Sequence, residues 1–188
     1  MNDRQIQEAL RAIGWPVAVD GKIGGATRQA VSDFQAGFAW MTYAGLPPLV
    51  VDGNPGPATQ HELQMCLERG GRCSLYFRYA EFRSKGNGWI KINRHQAWCL
   101  DRYRERFGPT SIISGFRDPA HNRRVGGATR SRHLLADACD VRPVATMAQV
   151  RSLGLFTGIG YNASSGRVAH VDTRPGDVRR PTTWRYGR

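Results

Sequence analysis

Hydrophobic residues recur at the spacing of one helical face in three segments of the first 70 positions. The residues that share these faces are Ile6, Leu10 and Ile13; Ala30, Val31 and Phe34; and Leu63, Cys66 and Leu67. The first helix should end at Gly14-Trp15-Pro16, because glycine and proline interrupt helices. We therefore predict a compact bundle of about three helices over residues 1–70.

Two copies of one turn motif separate these helices. The segment from Val17 to Thr27 recurs 32 positions later, from Leu49 to Thr59. Each copy passes from a short apolar stretch to an Asp-Gly pair, in which glycine supplies the positive φ that a tight turn needs. A duplicated turn of this kind is often only architectural.

Beyond Gly70-Gly71, which we interpret as a domain joint, the pattern mixes helix and strand. A helical face ends at Gly108-Pro109, and a short buried strand follows it. The apolar positions of the helix are Ala97, Leu100, Tyr103 and Phe107. We predict strands at 110–114 and 136–141. A final hairpin should have its two arms at 158–161 and 168–172. The prediction is an α+β protein with domains at 1–70 and 71–188, the second containing an antiparallel sheet.

Charge is distributed unevenly between these two parts. The chain carries a net charge of +12, yet residues 1–70 contain five Lys and Arg against seven Asp and Glu. The second part is therefore strongly basic and should be attracted to an anionic partner, such as nucleic acid or the bacterial cell wall. The arginines follow no recognition-helix or RNA-binding pattern. No apolar run is long enough to span a membrane, and the first residues lack the apolar core of a signal peptide.

Two histidines and one aspartate in the basic part suggest a metal site. His133 and Asp140 lie seven positions apart, and His170 follows thirty positions later. An unpaired carboxylate in an apolar strand would be costly, which favours a ligand role for Asp140. Two imidazoles and one carboxylate fill three positions of a tetrahedral zinc ion and leave the fourth for water. This arrangement is typical of a hydrolytic zinc enzyme.

The first turn and its following helix resemble the peptidoglycan-binding domain of bacterial wall hydrolases. The matching residues are Asp20, Gly21, Gly24, Thr27, Ala30, Val31, Phe34 and Gln35. The resemblance extends over roughly residues 4–70, since the second copy repeats the turn. It implies that this part binds the cell wall.

The second part resembles the family of zinc D-alanyl-D-alanine carboxypeptidases and L-alanyl-D-glutamate endopeptidases, which also includes the hedgehog signalling domain. The residues that match the family signature are Ser114, Gly115, Phe116, Arg117, Ser131, His133, Ala138, Asp140 and His170. The resemblance covers about residues 76–188 and is strongest to the branch found in phage endolysins and bacterial wall enzymes. It implies Zn²⁺ bound by His133, Asp140 and His170. It also implies that Arg117 and Ser131 bind the substrate and that Arg117 stabilises the oxyanion.

Two positions depart from the family pattern. Ala136 replaces a glycine, a change that we expect the strand to tolerate. Many members have an acidic general base three residues before the last histidine, where this chain has Arg167. The nearest carboxylate is Asp172, which acts either as the base or as a residue that orients His170. Asp137 is the alternative base, although strand alternation directs it away from Asp140.

Together these features predict a peptidoglycan hydrolase that cleaves an amide bond in the stem peptide or cross-bridge, with an endopeptidase favoured over a carboxypeptidase. Its partner would be peptidoglycan, with no nucleic acid and no membrane span, and the protein would be a monomer. We expect synthesis in the cytoplasm and action at the cell wall after release, as in a phage endolysin. A cellular D-Ala-D-Ala carboxypeptidase, a non-catalytic zinc-containing wall-binding protein and a nucleic-acid binder are the alternatives.

Overall fold

The computed structural model describes residues 1–43 and 45–187. Helices fill the first part, and a sheet with flanking helices forms the second. The helices are α1 (Asp3–Ile13), α2 (Gly25–Gly37), α3 (Trp40–Tyr43), α4 (Pro57–Glu68), α5 (Arg94–Phe107), α6 (Pro119–Arg124) and α7 (Met147–Ser152), with 3-10 turns at Tyr79–Phe82 and Arg132–Leu135. The strands are β1 (Ile112–Ser114), β2 (Ala138–Val141), β3 (Gly158–Asn162), β4 (Val168–Asp172) and β5 (Thr182–Tyr186). The α+β prediction is confirmed.

The predicted N-terminal bundle corresponds to α1, α2 and α4, with the short α3 in addition. α1 packs against both α2 and α4 through the apolar faces that the sequence indicates. Asn2 caps α1 in a capping box with Gln5, and α1 ends at Gly14, whose φ is +132°. None of the helices in the described ranges combines the length and apolarity needed to cross a bilayer.

The duplicated turn has a clear architectural function. In each copy, the side chain of a glutamine from the preceding helix forms hydrogen bonds with the turn. The Gln7 amide donates to Asp20 Oδ1 over 2.8 Å and accepts from the Gly21 amide over 2.8 Å. Gln35 makes the equivalent bond to Asp52 Oδ1 over 2.9 Å. Because both glutamines are buried, these bonds satisfy polar groups that water does not reach.

Residues 73–92 pack against the N-terminal helices, so the two parts share one continuous core. The Trp15 indole donates to the Ile90 carbonyl over 3.0 Å, and the Tyr79 hydroxyl donates to the Phe34 carbonyl over 2.6 Å. The Trp15 and Tyr79 rings lie 4.9 Å apart. The domain division at residue 70 stays a prediction.

The five strands form one sheet in the order β1-β2-β4-β3-β5. All neighbours are antiparallel except β3 and β5, which are parallel. The register aligns Asp140, His170, Gly160 and Trp184 in one row across four strands. A neighbouring row aligns Ala138, Asp172, Gly158 and Thr182. Because alternate residues of a strand share a face, both rows lie on the same side of the sheet.

Ala136 differs from the sequence prediction. It does not belong to β2 but ends the preceding 3-10 turn with a φ of +62°, in the left-handed region. That conformation favours glycine, the residue that the family carries at this position. The departure from the family signature is therefore a source of backbone strain rather than a neutral change within a strand.

Candidate metal centre

Three potential ligands converge on one point. The 3-10 turn at Arg132–Leu135 carries His133, while the register of β2 and β4 sets Asp140 directly opposite His170. His133 Nε2 lies 3.2 Å from His170 Nδ1 and 3.2 Å from Asp140 Oδ1. His170 Nδ1 lies 2.9 Å from Asp140 Oδ1. Thus the structure brings together the three residues that the sequence proposes as ligands.

Hydrogen bonds determine which nitrogen of each ring is free. His133 Nδ1 lies 2.7 Å from the Gly115 carbonyl oxygen, which can only accept, so Nδ1 carries the proton and Nε2 presents a lone pair. His170 Nε2 lies 3.1 Å from Asp172 Oδ2, which leaves Nδ1 as the bare nitrogen. His133 Nε2, His170 Nδ1 and Asp140 Oδ1 can therefore each offer an electron pair to one shared cation.

The distances fit a tetrahedral zinc ion. Ligands at ~2.0–2.1 Å from zinc are separated by ~3.3–3.4 Å along each edge of the tetrahedron. The three observed separations of 2.9, 3.2 and 3.2 Å are close to that value. Two imidazole nitrogens and one carboxylate oxygen also form a donor set that zinc prefers.

The Gly115 carbonyl reaches His133 because the chain passes unusually close to a neighbouring segment. A Cβ atom at this position would lie 2.6 Å from the Cα of Phe82. The Phe116 amide donates to the Phe82 carbonyl over 3.1 Å, and the Arg117 amide donates to the His133 carbonyl over 3.1 Å. The Ser-Gly-Phe-Arg motif thus aligns one ligand through its backbone.

Asp172 is fully buried, with 0% of its surface exposed. Its carboxylate accepts from His170 Nε2 and, over 2.7 Å, from Arg174 Nε. Gly158 makes room for it, since a Cβ there would lie 2.2 Å from Asp172 Oδ2. Burial alone would raise the pKa of the Asp172 carboxyl, but the bonds from Arg174 and His170 outweigh burial and hold the pKa well below its usual range.

A general base must face the cavity in which the water and the substrate would lie. Asp172 contacts the ring nitrogen of His170 that faces away from the three-ligand centre, and it does not line the cavity. Asp137 does not line the cavity either; its carboxylate is paired with Arg132, whose Nε donates to it over 3.0 Å. Arg167, at the family's base position, donates instead to the Val144 carbonyl over 3.0 Å.

Arg117 lies at the centre's edge, with 16% of its side chain exposed. Its Nε donates to Ser114 Oγ over 3.0 Å, and its Nη2 binds Oδ2 of Asp140, the oxygen that faces away from the histidines. The same guanidinium therefore orients a ligand and faces the cavity. Its planar fork is held before any substrate arrives.

A cavity of about 720 Å³ opens above the three ligands. Its charged lining is almost entirely basic and consists of Arg117, Arg130, Arg132 and Arg174, with Asp140 as the one acidic residue among the described positions. Ser131 also lines it, and the Ser131 side chain makes no capping hydrogen bond to the turn that follows. Such a lining suits a substrate that carries carboxylates.

Trp184 and Tyr186 are among the cavity residues that sequence reasoning missed, because it did not predict β5. The Trp184 ring lies 5.0 Å from the His170 ring. In Thr182–Tyr186 two aromatic residues, Trp184 and Tyr186, alternate with the polar Thr183 and Arg185, and this pattern is the signal that would have indicated the strand.

Comparison with known proteins agrees with both resemblances. Residues 3–45 match the family described as Predicted Peptidoglycan domain, and residues 76–172 match the family described as Peptidase M15. The zinc D-Ala-D-Ala carboxypeptidase of Streptomyces albus G is 30% identical over 197 aligned positions, which cover 94% of this chain and 72% of that protein. An N-terminal peptidoglycan domain therefore precedes a peptidase domain, and the chain belongs to the peptidase M15 family.

Proposed function

We propose that this protein is a zinc-dependent peptidoglycan hydrolase that cleaves an amide bond in the stem peptide or cross-bridge of the bacterial cell wall. The observation that carries the proposal is the convergence of three metal-ligand atoms below a basic cavity, in a chain that also has a peptidoglycan domain. Binding to the wall through that domain would raise the local concentration of substrate around the catalytic site.

His133 Nε2, Asp140 Oδ1 and His170 Nδ1 would hold the zinc ion. When bound, zinc polarises a carbonyl and makes water a nucleophile near neutral pH. The zinc-containing relative and the donor set both support this cofactor.

Arg117 and Ser131 are the proposed substrate-binding residues. Both line the cavity, and the Arg117 guanidinium is already fixed by Ser114 and Asp140. A cationic fork in this position stabilises negative charge on a substrate carbonyl oxygen or carboxylate without reorganising. The Ser131 hydroxyl is available to donate to, or accept from, the peptide.

We assign Asp172 a positioning role in place of the base role that the sequence leaves open. Its bond to His170 Nε2 keeps the opposite nitrogen bare, and Arg174 keeps the carboxylate ionised and oriented. Full burial separates this carboxylate from the cavity in which the peptide would lie.

An endopeptidase remains the favoured activity because the cavity is large. At about 720 Å³ it lies well within the ~300–1,000 Å³ range of sites for drug-sized ligands, which leaves room for peptide on both sides of the scissile bond. A D-Ala-D-Ala carboxypeptidase is the second candidate, since the relative from Streptomyces albus G carries that name.

We further propose that this hydrolase lyses bacterial cells, as a phage endolysin does. A wall domain and a peptidase on one chain support it, as does the basic cavity. Such a protein would act as a monomer at the cell wall. Addition of the purified protein to cells with a permeabilised outer membrane should clear the suspension, and light scattering should give a monomer mass.

Digestion of purified sacculi tests the main proposal. We expect soluble fragments whose new amino and carboxyl ends, identified by mass spectrometry, name the bond cut. His133→Ala should abolish release and zinc binding, whereas His95→Ala, at an exposed histidine of α5, should leave both unchanged. Release of single D-Ala residues would establish the carboxypeptidase instead. Zinc binding without any release would contradict both activities.

A further inference from the structure

The edge strand β5 contributes an aromatic wall, formed by Trp184 and Tyr186, to the cavity above the metal centre. The two residues are two positions apart and therefore share a face of the strand. The backbone of β5 is fixed at both ends, because the Thr182 amide donates to the Thr157 carbonyl over 2.8 Å and the Ala163 amide donates to the Tyr186 carbonyl over 2.9 Å.

Gly160 allows both rings to lie close to the centre. A Cβ atom on Gly160 would lie 2.7 Å from Tyr186 Cε2 and 2.8 Å from Trp184 Cε2, so the rings cover this glycine directly. Gly160 is the cross-strand partner of His170. The aromatic wall is thus adjacent in the sheet to one of the three ligands.

The two rings have different surroundings. Trp184 contacts the His170 ring, with centroids 5.0 Å apart, and the Arg174 guanidinium, which lies 5.2 Å from the Trp184 ring centroid. Tyr186 is 41% exposed and lines the cavity together with Arg117. Of the two, Tyr186 is the more exposed, and it carries a hydroxyl that can donate to a bound peptide.

We propose, on the basis of the hydrolase function above, that Tyr186 is a further catalytic residue, whose phenolic O–H donates a hydrogen bond to the scissile carbonyl oxygen as negative charge develops there. The proton stays on Tyr186 throughout, so the step changes no protonation state. Burial raises the pKa of Tyr186, and the charge of Asp140 acts in the same direction, which keeps the phenol protonated at neutral pH.

The need for such a donor follows from the bonds that Arg117 already makes. Its Nε and Nη2 are engaged by Ser114 and Asp140, so only part of the fork is available to the substrate. A second, preorganised donor in a partly desolvated cleft would stabilise the developing charge further.

The test compares Tyr186→Phe with Tyr161→Phe, using soluble muropeptides as substrate. Tyr161 lies on β3 and packs against the core without lining the cavity, which makes it a matched control. Loss of a hydrogen bond to a charged oxygen should lower kcat/KM of Tyr186→Phe by about tenfold or more, mainly through kcat. Zinc content and binding to sacculi should not change, and Tyr161→Phe should stay within about twofold of wild type.

Each other outcome overturns the proposal in a distinct way. If wild type cleaves and Tyr186→Phe retains its kcat/KM, or if Tyr161→Phe falls equally, the catalytic role of Tyr186 is refuted while the hydrolase function stands. A decrease in kcat/KM that comes only from a higher KM, with kcat unchanged, would show that Tyr186 binds the ground state and the transition state equally, and it would refute the catalytic role. Absence of cleavage by the wild type would refute both this proposal and the function on which it rests.

Discussion

Substituting Asp172 with asparagine separates a positioning residue from a general base. The wild-type carboxylate accepts from His170 Nε2 over 3.1 Å, from Arg174 Nε over 2.7 Å and from the Arg174 amide over 3.2 Å. Asparagine has nearly the same shape but only one acceptor oxygen. Its NH₂ group must then face either the His170 N–H or the Arg174 guanidinium, and each of these is also a donor.

We expect the substitution to weaken zinc binding. Loss of an acceptor behind a ligating imidazole lowers metal affinity by about 10–100-fold, or ~1.4–2.7 kcal/mol. Once zinc is saturating, kcat should return to within a few-fold of wild type. A residue that acts as the base would give the opposite result, with unchanged zinc affinity and a ~10²–10⁴-fold decrease in kcat.

Zinc affinity is measured by competition with a chromophoric chelator, and kcat is measured on muropeptides across a zinc titration. Asp137→Asn is the matched control, because Asp137 is also a buried carboxylate paired with an arginine but touches no ligand histidine. It should keep wild-type zinc affinity. A zinc-loaded Asp172→Asn protein that binds the metal normally and does not turn over would refute the positioning role.

Three further changes test the fold around the site. Ala136→Gly should stabilise the protein by up to ~1 kcal/mol in urea unfolding, since it relieves a φ of +62°, whereas Ala138→Gly in the adjacent strand should destabilise it by a similar amount. Gly158→Ala should cost ~1–3 kcal/mol in the same assay and weaken zinc binding, because the new methyl group would lie 2.2 Å from an Asp172 oxygen; unchanged zinc affinity would contradict this packing. Burial raises the pKa of Asp118, but hydrogen bonds from the His121 amide, Ser84 and backbone neighbours lower it to about 2. The ionised carboxylate therefore stabilises the folded protein above pH ~4, and this contribution is lost as pH falls to about 2. The free energy of unfolding that Asp118→Asn loses relative to wild type should shrink over that interval in unfolding curves.

The sequence predicted those parts of the protein that depend on local pattern. The helices α1, α2 and α4 follow from the spacing of apolar residues, and the hairpin of β3 and β4 follows from period-two alternation. The three proposed ligands were selected by residue type, spacing and resemblance, and the structure brings them together. Each of these inferences needs only neighbours along the chain or a known motif.

The remaining features depend on contacts between distant segments. The left-handed φ of Ala136 is not visible in a residue type that normally avoids this region. The orientation of Asp172 toward the far nitrogen of His170 depends on the space that Gly158 leaves in another strand. Tyr186 reaches the cavity only because β5 adds parallel to β3, a pairing that strand patterns alone do not specify.

The register of the sheet explains why these features occur together. One row across the sheet contains two ligands, a glycine and an aromatic ring, namely Asp140, His170, Gly160 and Trp184. The next row contains Asp172 between two small residues, Ala138 and Gly158, and the absence of a side chain on Gly158 provides the space for the Asp172 carboxylate. A slip of one residue in any pairing would move a whole strand's contribution to the opposite face. The glycines of β3 therefore shape the site, since Gly158 lets a buried carboxylate and Gly160 an aromatic wall approach the same histidine.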